Sequence, residues 1–248
     1  MLKITIITVC YNEVETIERT IKSVLSQDYQ RTEYLIIDGG SDDGTVELAE
    51  KYTANGIRLI SEKDNGIFYA MNKALGMAKG DVLYFLNADD YFYDNNVVSF
   101  AANYFSENQS AEILSGKIRF FNTPVIDGRQ YLRDNFLFKN KLELYKNPNG
   151  QQCIFSRKSC FENTGKFNIS YPLCADYEWL VRAINKNTNI HFTDRIFSFV
   201  DYQGISYTSN TQRVREKRKI IFLNSSIKDI FLFLLLGLQQ RLGGLLKK

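Results

Sequence analysis

The strongest constraint on this chain is a rhythm over residues 4–90: short apolar runs separated by helix-length segments, most of them ending in a dense polar cluster. Ile4–Val9 is apolar almost throughout, the pattern of a strand buried on both faces. Tyr34–Ile37, Arg58–Ile60 and Val82–Leu86 read as the next strands. Between them Ile17, Ile21, Val24 and Leu25 recur at helical spacing, and a second helix is predicted over residues 45–54. Ile67, Ala70, Met71, Ala74, Leu75 and Ala78 mark one face of a third helix, which stops at Gly80. Asn12 is the predicted N-cap of the first helix, with Glu13 and Glu15 in the turn where the helix dipole favours them.

Strand–helix repetition of this kind predicts the α/β class, with a mostly parallel sheet flanked by helices. Such sheets bind ligands beyond the carboxyl ends of their strands. Thr8–Glu13, Asp38–Asp43 and Asn87–Asp90 all fall there, so several carboxylates are expected along one edge. The second half is less regular, and residues 112–147 carry no clear period. A helix is predicted over residues 174–186, with Asp176 in its first turn and Trp179, Leu180, Ala183 and Ile184 on its apolar face. Ile190–Phe192 and Ile196–Tyr202 read as a strand pair, and the lone His191 as a packed side chain.

Composition narrows the class further. With 248 residues, 44% of them hydrophobic and 24% charged, the chain can bury a sizeable core and is not a disordered or polytopic membrane protein. Cys10, Cys153, Cys160 and Cys174 form no CxxC pair, which points to buried reduced thiols. The N-terminal apolar run is too short for an export signal, so a cytoplasmic chain is expected. Residues 213–248 carry a net charge of +7, leaving −4 for residues 1–212. A basic tail on an acidic body argues against nucleic acid as the partner. The run Ile230–Leu238 is far shorter than the roughly 20 residues that span a bilayer. The tail therefore reads as a basic amphipathic helix lying on an anionic membrane surface, or else as a helix packed on the domain or at a homodimer interface.

The segments Thr8-Val9-Cys10-Tyr11-Asn12-Glu13, Ser23-Val24-Leu25-Ser26-Gln27 and Ile36-Ile37-Asp38-Gly39-Gly40-Ser41-Asp42-Asp43-Gly44-Thr45 follow one another in order. Asp64-Asn65-Gly66-Ile67, Ala70-Met71-Asn72-Lys73 and Phe85-Leu86-Asn87-Ala88-Asp89-Asp90 continue the series, with weaker blocks at Gln151–Arg157, Ala175–Arg182 and Gly204-Ile205-Ser206. The series resembles family 2 glycosyltransferases, which are inverting, nucleotide-sugar-dependent enzymes of the GT-A fold. The resemblance covers about residues 2–207. It implies a GT-A domain over residues 1–212, with a nucleotide-sugar half (1–110) and an acceptor half (111–212), followed by the tail 213–248.

Taken bare, Tyr11 is equally a rim aromatic and Asp38 a turn-former beside Gly39. The resemblance assigns both to the nucleotide pocket, with Thr8 and Glu13, and places Asp64 and Asn72 near the nucleotide. Asn87-Ala88-Asp89 stands where the family has its DxD motif. A diphosphate leaving group is clamped by a hard divalent cation, Mn²⁺ or Mg²⁺, which prefers carboxylate oxygens. Asp89 is therefore the expected metal ligand, Asn87 its support, and Asp90 a residue behind it or a helix cap. Inverting transfer also needs a base for the acceptor hydroxyl. The resemblance names Asp176, with Glu178 as its rival and a plain helix-capping role as the alternative.

Where relatives often show His-Gln, this chain has Gln151-Gln152. A UDP-sugar donor and a lipid-linked glycan acceptor in bacterial surface polysaccharide synthesis follow from the resemblance, as does a peripheral place at the inner membrane face. Two rivals stay open: a nucleotidyltransferase, which lacks its usual Gly-rich basic loop here, and a non-catalytic nucleotide-sugar or glycan-binding homologue. A membrane scaffold acting through the tail would leave the carboxylates unexplained.

Overall fold

A computed structural model describes residues 1–122, 151–202 and 211–224, together with the backbone pairing of three short strands, β7 (Val125–Ile126), β8 (Arg129–Gln130) and β9 (Asp134–Asn135). Strand β1 (Ile4–Cys10) is buried at every position because it has strands on both edges and helices on both faces. Parallel to it run β2 (Thr32–Asp38) on one side and β4 (Val82–Phe85) on the other, with β3 (Arg58–Ser61) outside β2. Beyond β4 comes β10 (Ile154–Arg157), antiparallel to its neighbours, then β6 (Ile113–Phe121). Strand β11 (Ile190–Asp201) runs parallel to β6, and β5 (Tyr91–Phe92) closes the order β3-β2-β1-β4-β10-β6-β11-β5.

The twofold alternation of strand side chains divides the interior into two layers. Ile7, Val9, Leu35, Ile37, Leu83 and Phe85 pack under α3 (Ile67–Met77) and α6 (Ala175–Asn185). Ile4, Ile6, Ile36 and Tyr84 pack against α1 (Ile17–Leu25) and α4 (Val97–Glu107) on the other face. The remaining helices are α2 (Thr45–Glu50), α5 (Lys158–Thr164) and α7 (Thr211–Asn224). Ile220 and Ile221 bring α7 into the first layer. No helix among the described residues is long and apolar enough to cross a membrane.

Three sequence expectations are corrected. Asn12 does not cap α1, which begins at Ile17 after Thr16. Its backbone is left-handed (φ 56°), its N–H donates to Ser41 Oγ at 2.8 Å, and its Oδ1 accepts from Asp42 N at 3.1 Å. It ties two loops together instead. Ile190–Phe192 and Ile196–Tyr202 are not partners: residues 190–201 form one bulged strand, since both stretches pair with β6. Helix α3 ends at Met77, where Ala78 turns extended, rather than at Gly80. The stretches 203–210 and 225–248, with Gly204-Ile205-Ser206 and Ile230–Leu238, lie outside the described residues, as do the side chains of 123–150.

Gly80 has a different task. Its N–H donates to Thr5 Oγ1 at 2.8 Å, so the chain entering β4 lies directly against β1. A Cβ there would sit 2.5 Å from Thr5 Oγ1 and 2.6 Å from Thr5 N. Gly80→Ala is expected to destabilise the fold by about 3 kcal/mol, read as a lower urea midpoint. An unchanged midpoint would show that the β1–β4 entry relaxes without loss.

Candidate functional site

The carboxyl ends of β1, β2, β4 and β11 open onto a cleft of about 830 Å³, a size suited to a small-molecule ligand. Its floor is organised by Asp38, the last residue of β2, which is fully buried. The carboxylate accepts from Gly40 N at 2.9 Å, Ser41 N at 3.0 Å and Ser61 Oγ at 2.6 Å, and from the Ser41 hydroxyl. Burial on its own would raise this carboxyl, but the Ser41, Ser61 and Gly40 donors outweigh it and hold Asp38 below the ordinary range. The loops after β1 and β2 are laced together as well: Glu13 N donates to Thr45 Oγ1 at 2.8 Å and Val14 N to Asp43 Oδ2 at 3.1 Å.

The cleft surface itself is formed by other residues. Tyr11 projects from the end of β1, 62% exposed, and Asp64 lines the wall beside Gly39 and Gly40. A Cβ on Gly39 would meet the Asp64 carboxylate at 3.2 Å, so a glycine here leaves that carboxylate its place. Lys63 also lines the cleft and brings a positive charge.

Opposite in charge is the edge formed by Glu13, Asn87, Asp89, Asp90 and Asp201, all of which line the same cleft. Burial, with the charges of Glu13 and Asp201 added, pushes Asp89 up to about 6, while Arg19 opposes. Burial likewise raises Glu13, with Asp43 and Asp201 contributing and the Thr16 hydroxyl opposing. Arg19 donates to the Asp89 carbonyl at 2.8 Å and lies over the rings of Tyr91 and Phe121 at 4.6 and 4.7 Å. Asp90 is buried and accepts from Asp201 N at 3.0 Å, which joins β11 to the Asn87–Asp90 turn.

Among the described residues no three His, Cys, Asp or Glu side chains form a ready-made cation cage. Asn87 Oδ1 is nevertheless buried and hydrogen-bonds no protein group, beside the crowded carboxylate of Asp89. That donor set fits a hard divalent cation that takes one or two protein oxygens and completes its shell with phosphate and water.

Of the residues singled out in the sequence, Tyr11, Glu13, Asp64, Asn87 and Asp89 meet in this cleft. Thr8 does not: it lies on the α1 side of β1, fully buried, with its hydroxyl 3.1 Å from Tyr34 Oη. Asn72 does not either, because its amide grips the Phe167 backbone in both directions, at 2.9 and 3.0 Å. Asp38 stands behind the surface with its oxygens engaged by the protein, so Gly39, Gly40 and Asp64 face the cleft in its stead.

Asp176, in the first turn of α6, borders a small cavity with Gln151, Ser156, Phe167 and Trp179, whereas Leu173 just before it lines the main cleft. Burial raises the Asp176 carboxyl, and the nearby Arg213 and Lys217 oppose. Glu178 is buried and paired with Arg182 at 2.8 Å. His191 packs against Tyr104, whose hydroxyl lies 3.0 Å from Nδ1. Asp201, Lys63 and Leu173 went unnoticed in the sequence. Asp201 obeys the same rule that singled out Asn87–Asp90, a polar residue at a strand's carboxyl end, but the strand read in the sequence runs on to Tyr202 and so does not end on it.

The sequence pattern of glycosyl transferase family 2 matches residues 5–165. A PGL/p-HBAD biosynthesis glycosyltransferase of Mycobacterium tuberculosis is 27% identical over 202 residues, 79% of this chain and 76% of that protein. An uncharacterized glycosyltransferase of the same species is 30% identical over 187 residues, 73% of this chain and 68% of its own length. Among solved structures, S. aureus TarS 1–349 with UDP-GlcNAc superposes with a TM-score of 0.71 at 19% identity, covering 93% of this chain and 69% of that one. This chain spans 41% of the longer TarS chain. The mannosyltransferase PcManGT of Pyrobaculum calidifontis, solved with GDP-Man and Mn²⁺, gives 0.64 at 14% identity, covering 97% of this chain and 81% of that one. These superpositions establish the GT-A fold.

Asp90 makes the electrostatics of the cleft measurable. Burial, then the charge of Asp89, holds its carboxyl well above the ordinary range. A carboxyl bound more tightly to its proton in the folded chain stabilises the fold fully below the unfolded value of about 4, and that contribution is lost as pH rises toward the folded value. Asp90→Asn keeps an oxygen for the Asp201 N–H and removes the charge. In metal-free buffer the variant is expected to be more stable by about 1–2 kcal/mol at pH 8, with the gain shrinking toward pH 4. Equal urea midpoints for the two proteins at pH 8 would contradict this account.

Proposed function

The chain belongs to glycosyl transferase family 2, and on that footing we propose that it moves a sugar, with inversion, from a nucleotide diphosphate, UDP by preference, to a hydroxyl of a lipid-linked glycan in bacterial surface polysaccharide synthesis. One observation carries the reading: a single cleft joins an exposed aromatic ring, Tyr11, to the acidic edge of Asn87, Asp89 and Asp201. A nucleotide-sugar has the matching parts, a flat base at one end and a diphosphate that needs a counter-cation at the other. TarS with UDP-GlcNAc and PcManGT with GDP-Man and Mn²⁺ support this donor class for the same fold.

Each residue then has a task. Tyr11 offers its face to the base, and Asp64, with the Gly39–Gly40 backbone, bounds the nucleotide. Lys63 supplies a positive charge for the phosphates. Asp89, with Asn87 beside it, would hold Mn²⁺ or Mg²⁺, which neutralises charge on a departing diphosphate. Asp176 takes the acceptor proton while the hydroxyl oxygen bonds to the anomeric carbon and the bond from that carbon to the diphosphate breaks. What supports Asp176 is its place three residues after the cleft-lining Leu173 and a carboxyl raised by burial, the direction that strengthens a base.

The membrane-facing part of the reading draws on α7, where Arg215, Arg218 and Lys219 are exposed together with Phe222 and Leu223. Cations interleaved with large apolar side chains suit an anionic lipid surface, where a lipid-linked acceptor resides.

The test is nucleotide release from UDP-, GDP- and dTDP-sugars with Mn²⁺ or Mg²⁺ and a membrane-lipid extract. One donor is expected to turn over. Asp176→Asn should lower turnover by about 100-fold or more while donor binding by calorimetry is kept. Asp89→Ala should weaken metal-dependent donor binding as well as turnover. Failure of every donor to bind would end the nucleotide-sugar reading.

A further inference from the structure

Helix α1 does more than cover the sheet. Ile17, Ile21 and Val24 face the core, and beside them Thr20, Ser23 and Gln27 form a polar stripe at helical spacing. Every member of the stripe is hydrogen-bonded to the backbone of residues 88–98. Gln27 donates to Asp94 O at 2.7 Å and accepts from Val98 N at 3.1 Å, and Ser23 Oγ accepts from Phe92 N at 3.2 Å. Thr20 and its neighbour Arg19 reach the Asn87–Asp90 turn itself.

Three consecutive carbonyls of that turn are held by these two side chains. Thr20 is fully buried, and its Oγ1 lies 2.8 Å from Ala88 O and 2.6 Å from Asp90 O. A hydroxyl has one proton, so the two carbonyls flanking Asp89 share a single donor and are drawn to the same point. The carbonyl between them, Asp89 O, accepts from Arg19 at 2.8 Å. The turn closes on itself where Asp90 N donates to Asn87 O at 3.1 Å, and Leu86 N ties its entry to Ile7 O at 2.9 Å. With its backbone held in this way, the turn leaves Asn87 and Asp89 lining the cleft.

We propose that Thr20, with Arg19 beside it, is a positioning residue for cation binding: it fixes the Ala88–Asp90 backbone so that Asp89 and Asn87 present their oxygens together. The proposal rests on the reading of Asp89 and Asn87 as cation ligands. The turn carries two adjacent carboxyls, with Glu13 and Asp201 lining the same cleft, and like charges so gathered push a loosely held turn apart. A turn that must first be ordered binds its ion more weakly by the cost of ordering, whereas one ordered by the fold does not. Valine matches threonine in shape, so what the Thr20 hydroxyl adds is its hold on the two carbonyls. Ser23 and Gln27 anchor the chain further on, where no cleft residue lies.

The test is calorimetric binding of UDP, GDP and dTDP to the full chain, well below its unfolding temperature, in Mn²⁺ and again in EDTA. For a diphosphate that the parent binds, Mn²⁺ is expected to tighten binding by about 10-fold or more. Thr20→Val should lose about 10-fold in Mn²⁺ and stay within about 2-fold of the parent in EDTA. Thr20→Ser keeps the hydroxyl and should stay within about 3-fold in both. Ser23→Ala, which loosens α1 beyond the Asn87–Asp90 turn, should keep the Mn²⁺ effect. Parent-like binding by Thr20→Val in Mn²⁺ overturns the proposal. So does an equal loss in EDTA, in Thr20→Ser or in Ser23→Ala, each of which would report general loosening or repacking. If Thr20→Val fails to fold, Thr20→Ala, favourable in a helix, takes its place against Thr20→Ser. The cation reading is judged apart, in the parent. Binding that ignores Mn²⁺ for every diphosphate removes the ligands and their positioning together, whereas a Mn²⁺ effect that survives loss of the hydroxyl removes the positioning alone.

Discussion

The cleft depends first on the buried carboxylate of Asp38. It ends β2, and it gathers donors from the Gly40–Ser41 turn and from Ser61 at the end of β3. A charge at that depth is tolerable only when its oxygens are fully engaged, and here the donors outweigh the burial that would neutralise it. The consequence is a rigid floor. Gly39 and Gly40 present backbone rather than side chain to the cleft, Asp64 fits into the space left free, and Ser41 passes the constraint on to Asn12 and so to the loop carrying Tyr11 and Glu13.

On the other side of the cleft the physics is reversed. Burial first, and then the charge of neighbouring carboxylates, raises Glu13, Asp89 and Asp90, and Asn87 Oδ1 is buried without a protein partner. Such an edge is destabilising while empty of positive charge and is relieved by whatever brings a cation to it, so stability is given up where binding is gained. The strand ends that collect these groups are also the last turns of the central sheet. The fold and the site are therefore not separable layers of this protein: the pairing of β11 with β5 and β6 is what brings Asp201 within reach of Asp90.

Several residues show how far a sequence can be read. Strand periodicity located the polar clusters Thr8–Glu13 and Asn87–Asp90 at one sheet edge, whereas Tyr11, Glu13 and Asp64 were picked out as contacts only by the family resemblance; with Asn87 and Asp89 they line one cleft. Thr8, which the resemblance placed with them, lies on β1 three residues before Tyr11, where the alternation turns its side chain away from the cleft to Tyr34. Asn72 was misread because a helix-surface amide gives no sign of which partner will reach it, and Phe167 comes from 95 positions further along the chain. Asp201 fell inside the strand read over Ile196–Tyr202, and only the pairing of that strand with β6 and β5 shows that it ends at Asp201 beside Asp90.

By itself, then, the sequence determined the α/β class, the order of the first four strands and helices, and the carboxylate-rich edge, because burial periodicity and turn chemistry are local properties of neighbouring residues. The tertiary structure alone decided which carboxylates are exposed to a ligand and which are spent on the protein, as Asp38 is. It also decided that the basic helix Thr211–Asn224 seats Glu216, Ile220 and Ile221 against the domain and leaves Arg215, Arg218 and Lys219 exposed. Both outcomes depend on desolvation and on charges drawn from distant parts of the chain. Those quantities arise only when the strands and helices pack, and no pattern along the sequence carries them.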